Sequence, residues 1–398
     1  MNFEYLLART ELLFGEGVLE NIGDKVSKIG SKSLLVTGKT SMSRLGFLDK
    51  TEGVLKKAGV EVVRYGGVEP NPTVGTVNRG AKLALEHNCD VVVGLGGGSA
   101  MDTAKAIAVL TGHWKDGVTS IWSFSSLSEE KKVITPRTLP IVAITSTSGT
   151  GSHVTKYAVF TNDKTLAKPG IGSEFMYPRL SVVDLDIVST MPPVVTATTG
   201  FDVLAHAMES IISTACNPIS QLYALEAIRM VYKYLGRAYT KGDDREAREK
   251  MALADTYAGW AIAVSPPELP HAMSHPISGY YPDISHGMAL AIVTPGVICL
   301  NIEKGHADIL KKYSLIAQNM GKSVSASHTK EDALQAVRAV KELRKRVDLD
   351  TTLSKLGVTE DKIQDIAGDV LTRNRGAWKN NPVRADRKEI GELLRQCY

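Results

Sequence analysis

VVVGLGGGSAMDTAKA, Val91 to Ala106, is the stretch from which the fold of this 398-residue chain is read. Val91, Val92 and Val93 are a short, wholly apolar, β-branched run, the pattern of a strand buried on both faces. Gly94, Gly96, Gly97 and Gly98 make the turn that follows. Ser99, with Asp102 three residues on, opens a helix in the manner of a capping box. A glycine turn lets a ligand lie against the backbone, and the free N–H groups of a helix N-terminus attract anions. The turn at Gly96, Gly97 and Gly98 is therefore built to hold a phosphate or pyrophosphate. It is not the usual dinucleotide fingerprint, because Ser99 stands where the third glycine belongs. Nor is it a P-loop, because no Gly-Lys-Ser/Thr closes it.

Working outward, apolar runs alternate with helical patterns through the first half. Strands are expected at Leu12–Phe14, Ser33–Thr37 (ending at Gly38), Val60–Tyr65 and Leu139–Ile144, and near Tyr157–Thr161 and Ser181–Asp184. This alternation predicts a parallel sheet with helices on its faces. A second small-residue loop, TSTSGTGSHVT, runs from Thr145 to Thr155. At Met191-Pro192-Pro193 the pattern changes to helical periodicity almost without strands, over Ala197–Ala215, Ser220–Leu235, Arg245–Val264, Gly287–Leu300, Ala307–Gln318 and Lys330–Arg346. Prolines at Pro218, Pro266-Pro267 and Pro276 are read as punctuation between helices. The expected organisation is an α/β domain over residues 1–190 and an all-helical domain over 191–398.

Composition excludes several classes. Hydrophobic content of 43% and charged content of 23% are ordinary globular values, and a net charge of +4 is too small to imply nucleic acid. The four cysteines are scattered without paired spacing, the N-terminus has no basic flank leading an apolar core, and no apolar run is long enough to span a membrane. A cytoplasmic, reduced protein with neither membrane nor nucleic-acid partner is expected.

Of nine histidines, four lie between positions 206 and 286 in patterned places. Asp202 and His206 are spaced i, i+4 in GFDVLAHAME; His271 and His275 repeat that spacing in HAMSHP; His286 opens another helical run. Donors at i, i+4 converge on one point, as a divalent ion requires. Asp202, His206 and two of the later histidines would give one oxygen and three nitrogens, a set that suits Fe²⁺ or Zn²⁺ rather than Mg²⁺ or Ca²⁺.

With these motifs in hand the chain resembles the iron-containing (group III) alcohol dehydrogenases, whose fold is shared with glycerol dehydrogenase and dehydroquinate synthase. The matching pieces span nearly the whole chain: FGEG near Gly15, the Pro-Asn-Pro loop at Asn71, GGGSAMDTAKA, SGTGS at Ser148–Ser152, Met191-Pro192-Pro193, GFDVLAHAME, HAMSHP and HGMALA. The resemblance implies a Rossmann-like dinucleotide-binding domain followed by an all-α metal-binding domain. It assigns the metal ligands to Asp202, His206, His271 and His286, with iron the expected ion and zinc the alternative. It makes His275 a non-ligand near the nicotinamide, a candidate catalytic proton relay. It matches Asn71, Gly97, Gly98, Ser99 and Asp102 to positions around ribose and pyrophosphate, and Ser146, Thr147 and Lys168 to the rest of the cofactor cleft. Many relatives carry an acid where this chain has Gly38, followed by Lys39, Thr40, Ser41, Ser43 and Arg44. A 2′-phosphate would be accepted there, so NADP is expected over NAD. The implied function is reversible hydride transfer between the dinucleotide and a small alcohol or aldehyde, in a homodimer. Enzymes of the dehydroquinate-synthase or glycerol-dehydrogenase type, and a non-catalytic dinucleotide-binding protein, are the alternatives.

Overall fold

Strands that are apolar on both faces need cover on both sides, and the computed structural model, which describes residues 10–398, supplies it. Residues 1–9, most of the segment read for a leader, lie outside the described residues. Contacts divide the chain into two compact units, one running to Met191 and the other comprising Pro192–Tyr398.

The first unit is built on a six-stranded sheet in the order β1-β8-β5-β4-β2-β3, every neighbouring pair parallel. Its strands are β1 (Glu11–Gly15), β2 (Lys32–Gly38), β3 (Glu61–Val68), β4 (Val91–Gly96), β5 (Ile141–Thr145) and β8 (Leu180–Asp184). The expected strand near Tyr157 does not join this sheet. As β6 (Tyr157–Val159) it pairs antiparallel with β7 (Gly170–Gly172), a glycine-rich strand with no hydrophobic pattern to announce it. Helices α1 (Gly23–Val26), α2 (Ser41–Arg44), α3 (Phe47–Lys57), α4 (Val74–Glu86), α5 (Gly98–His113) and α6 (Leu185–Val188) complete the unit. Every residue of β4, β5 and β8 is buried, as central parallel strands require. One apolar cluster carries residues of α4 and α5, including Ala81, Ala84 and Ile107; another carries Leu19, Ile22 and, from α3, Leu48 and Leu55.

The order of the strands locates a ligand crevice. From β2 the chain moves outward to β3; from β4 it moves the opposite way, to β5. Between β2 and β4, then, the connections diverge, and open parallel sheets bind ligands outside the strand ends at such a switch point. Thr37 pairs with Leu95 there, so the segment after Gly38 and the turn after Gly96 leave the sheet side by side.

The second unit is helical: α7 (Pro193–Ile212), α8 (Pro218–Thr240), α9 (Arg245–Val264), α10 (Leu269–Tyr280) and α11 (His286–Lys304) form its first part. They are followed by α12 (Ala307–Asn319), α13 (Lys330–Arg346), α14 (Ile363–Thr372), α15 (Arg375–Asn380) and α16 (Arg387–Gln396). Pro276, read as a break, lies inside α10 instead. A proline this far along removes one N–H bond only, and the buried stripe Leu269, Ala272, Met273 and Ile277 holds the helix on both sides of it. Helix α11 is long and apolar enough to cross a membrane by length and composition, but most of it is buried inside this unit. Its apolarity is that of a core helix.

One contact sets how closely two ligand-bearing helices approach. A Cβ placed on Gly287, at the start of α11, would sit 1.9 Å from the carbonyl oxygen of Thr198 in α7. Backbone cannot yield as a side chain does. Gly287→Ala should therefore force the helices apart and cost about 1–3 kcal/mol of stability, with a lower urea midpoint. Gly236→Ala, where nothing lies within 4 Å of the added Cβ, should leave the midpoint unchanged or raise it.

Candidate metal and dinucleotide sites

In the helical unit, α7 carries Asp202 and His206 one turn apart, α10 carries His271 and His275 one turn apart, and α11 begins with His286. Asp202 is only 4% exposed, so it is not a solvated surface charge. Its Oδ1 faces three imidazoles: Nε2 of His271 at 3.5 Å, of His206 at 3.6 Å and of His286 at 3.8 Å. None of these is a good hydrogen bond, and both Oδ1 of Asp202 and Nε2 of His271 are buried without any partner. A carboxylate oxygen and an imidazole nitrogen that can each present a lone pair are costly to bury face to face, unless a cation sits between them. Ligands 2.0–2.1 Å from a tetrahedral ion lie about 3.4 Å apart, close to the spacing here. Three of the four, Asp202, His271 and His286, offer ligand atoms within 4.8 Å of one another. The rings of His206 and His271 stack at 4.6 Å, keeping His206 alongside. One carboxylate oxygen with imidazole nitrogens fits Fe²⁺ or Zn²⁺.

What aims the Nε2 atoms is the partner on the other ring nitrogen. Nδ1 of His271 lies 2.6 Å from Oε1 of the buried Glu209. The Ser274 hydroxyl donates to the carbonyl of His271 at 3.1 Å, so its oxygen accepts from Nδ1 of His286 at 3.3 Å. Burial opposes charge on His271, but the carboxylates of Glu209 and Asp202 outweigh it and push the imidazole up to about 10. An ion entering the site has that proton to displace.

His275 stands beside the cluster, its ring 5.2 Å from that of His286 and 6.2 Å from that of His271. Its Nδ1 donates to Oδ1 of Asn374 at 3.2 Å, which assigns the proton to Nδ1. Glu209, Ser274 and Asn374 are absent from the residues that the sequence singled out. Glu209 follows His206 by three positions and Asp202 by seven, so helical spacing could have revealed it. Asn374 lies 99 residues from its partner and carries no such signal.

In the α/β unit, Gly97 is the N-cap of α5 and offers no side chain to its first N–H groups, which are left for a ligand. Ser99 is half-buried in that first turn, and the Ser146 N–H donates to the Gly96 carbonyl at 2.9 Å, seating the second loop beside the turn. A Cβ on Gly97 would meet the Thr147 methyl at 3.3 Å. Other glycines face protein instead: a Cβ on Gly94 would meet Ala104, on Gly96 Ala100, and on Gly98 Thr150, each under 3.0 Å. Gly96 also has a φ of +149°, which side chains rarely adopt. Asn71 and Lys168 come together, the Lys168 ammonium donating to Oδ1 of Asn71 at 2.7 Å. Gly38 ends β2, where an added Cβ would make an ordinary contact, 3.8 Å from the Val68 carbonyl oxygen.

Asp102 has a bracing task. Its Oδ1 accepts from the Ser152 hydroxyl at 2.6 Å and its Oδ2 from the Val159 N–H at 2.9 Å. Lys105, one turn on and fully buried, joins this network. Its ammonium donates to the Ser152 hydroxyl oxygen at 2.9 Å and to the carbonyls of Thr155 at 2.8 Å and Tyr157 at 2.9 Å. Burial lowers its pKa to about 8 against the pull of Asp102. Burial, and then the Lys105 charge, push the neighbouring His153 down to about 3, so it is neutral at physiological pH.

If the four ligands hold one ion, His271→Ala should weaken it by more than the roughly 10- to 100-fold expected from loss of an outer partner alone. Far-UV circular dichroism should stay unchanged. A folded His271→Ala protein with full metal content would overturn the assignment.

Comparison with known proteins bears on both units. The family model described as iron-containing alcohol dehydrogenase matches residues 9–185, and that of the C-terminal domain of the Fe-containing alcohol dehydrogenase family matches residues 196–398. The 1,3-propanediol dehydrogenase of Citrobacter freundii is 34% identical over 398 residues, covering 100% of this chain and 99% of that protein. The NADPH-dependent butanol dehydrogenase of Clostridium saccharobutylicum is 33% identical over 393 residues, 98% of this chain and 96% of that protein. The crystal structure of an archaeal halo-thermophilic Red Sea brine pool alcohol dehydrogenase, bound to NZQ, superposes with a TM-score of 0.97 at 46% identity, covering 100% of this chain and 99% of the other.

Proposed function

This chain belongs to the iron-containing alcohol dehydrogenase family, and from that premise we propose that it interconverts a small alcohol and its aldehyde or ketone with NADP(H) as the preferred dinucleotide. The observation that carries the reading is Asp202 Oδ1, buried without a partner and faced by three imidazole nitrogens at 3.5–3.8 Å. In this reading residues 1–190 hold the dinucleotide and 191–398 the ion, on Asp202, His206, His271 and His286. An ion held there supplies Lewis acidity to the substrate oxygen, and the dinucleotide supplies or takes up the hydride.

The chain's own residues do the rest. Gly97, Gly98 and Ser99 present helix N–H groups to a pyrophosphate, and Ser146, Thr147, Asn71 and Lys168 offer hydroxyl, amide and ammonium groups to the remainder. Asp102 acts one step back, by holding the loop at Ser152 and the strand at Val159. His275, with its Nδ1 proton committed to Asn374, presents Nε2 as the acceptor that a proton leaving an alcohol needs. A phosphorylated, carboxylated substrate of the dehydroquinate-synthase kind would call for cations. The buried arginines of the helical unit are committed elsewhere, Arg248 to Gly242 and Thr196, Arg344 to Leu349 and Thr351. Phe201, Val203, Leu204, Ala205 and Met273, the apolar residues of the metal-site motifs, are fully buried in the core and carry no information on the substrate. A homodimer in the cytoplasm completes the reading, supported by the edge position of β1 and by four unpaired cysteines.

Preference for NADP(H) rests on the segment after Gly38. Lys39, Thr40, Ser41, Ser43 and Arg44 are all exposed, and neither cation forms an ion pair among the described residues. Ion-loaded protein assayed with a panel of aldehydes should show catalytic efficiency at least about tenfold higher with NADPH than with NADH, about 1.4 kcal/mol in transition-state binding. Gly38 accepts a Cβ without a clash, so Gly38→Asp should move the preference toward NADH. Equal efficiencies in the natural protein, or no movement on substitution, would rule the preference out. No turnover of any aldehyde would remove the wider reading.

A further inference from the structure

Glu209 is 2% exposed and lies on the same face of α7 as Asp202 and His206. Its carboxylate reaches across to the first turn of α10. Oε1 lies 2.6 Å from Nδ1 of His271, while Oε2 accepts from the N–H of Glu268, the N-cap of α10, at 2.8 Å and from the N–H of His271 at 3.4 Å. On the far side of the same ring, Nε2 of His271 has no partner and points at Asp202 from 3.5 Å.

We infer that Glu209 is the positioning residue of the metal centre: it holds His271 in the Nδ1–H tautomer and fastens the start of α10 to α7, so that Nε2 is presented beside Asp202. The inference rests on the metal reading above and adds to it a residue that is not a ligand. Both backbone groups facing Glu209 are N–H donors and can be nothing else. A carboxylate accepts on both oxygens, so it satisfies them and also accepts from the ring. An amide in its place must turn an NH₂ group either toward the backbone donors, leaving them unsatisfied, or toward Nδ1. In the second case the imidazole proton is driven to Nε2, where it blocks an ion. The neighbouring Glu268 provides the contrast. It is as buried as Glu209, but its carboxylate turns back to the N–H of Leu269, with no hydrogen bond to a candidate ligand among the described residues.

The test compares Zn²⁺ affinity, by competition with a chelator, in the full-length wild-type, Glu209→Gln and Glu268→Gln proteins. Glu209→Gln should raise the Zn²⁺ dissociation constant about 10- to 100-fold, whereas Glu268→Gln should leave it near the wild-type value. Unchanged affinity in a folded Glu209→Gln protein, or equal weakening in both variants, would overturn the inference. Nitrogen-15 NMR of the histidine rings in the Zn²⁺-loaded wild type decides the matter even if the variants fold poorly. A far-downfield, exchange-protected proton on Nδ1 of His271, as a short bond to a carboxylate gives, supports the assignment, and an Nδ1 proton without those marks refutes it. Wild-type protein that takes up no Zn²⁺ would overturn the metal reading and this one together, so the two failures are distinguishable.

Discussion

A carboxylate oxygen buried without a hydrogen bond is among the costliest things a fold can contain, and Asp202 Oδ1 is such an oxygen. Much of the helical unit can be understood as the apparatus that makes it tolerable. Three imidazoles from three helices surround it, the backbones of α7 and α11 touch at Thr198 and Gly287, and Glu209 and Ser274 take up the outer ring nitrogens. The large apolar clusters of that unit supply rigidity rather than chemistry. They keep α7, α10 and α11 where a few tenths of an ångström decide whether donors converge.

The sequence was informative where chemistry follows a helical period. Asp202 with His206, and His271 with His275, announce themselves because a turn of helix brings i and i+4 together whatever surrounds them. Parallel strands were equally legible, since a strand buried on both faces must be apolar throughout. Asn374 was not, because its meeting with His275 depends on the packing of α10 against helices almost a hundred residues away. Glu209 falls between these cases. It was on the right face at the right spacing, but one acid among 43 aspartates and glutamates attracts no notice until its buried partner is seen.

Proline and glycine illustrate how local preference meets packing: Pro276 reads as a helix break, and Gly96, Gly97 and Gly98 as room for a ligand. In place, tertiary packing overrides the first, and the second divides among several tasks. Gly94 and Gly96 let α5 approach β4, and Gly98 lets the loop at Thr150 approach α5, leaving Gly97 at the helix mouth. Local preference is a weak prior once an element has a buried face to satisfy.

Lys105 has a consequence for how the first unit comes apart. All three protons of its ammonium are used, tying α5 to Ser152, Thr155 and Tyr157, while Asp102 on the same helix takes Val159. If residues 152–159 peeled away while α5 stayed in place, a cation and a carboxylate would be left in the interior with nothing to hold. That segment is therefore bound to the fate of the helix: it opens when α5 opens, as one cooperative block rather than as a fraying loop.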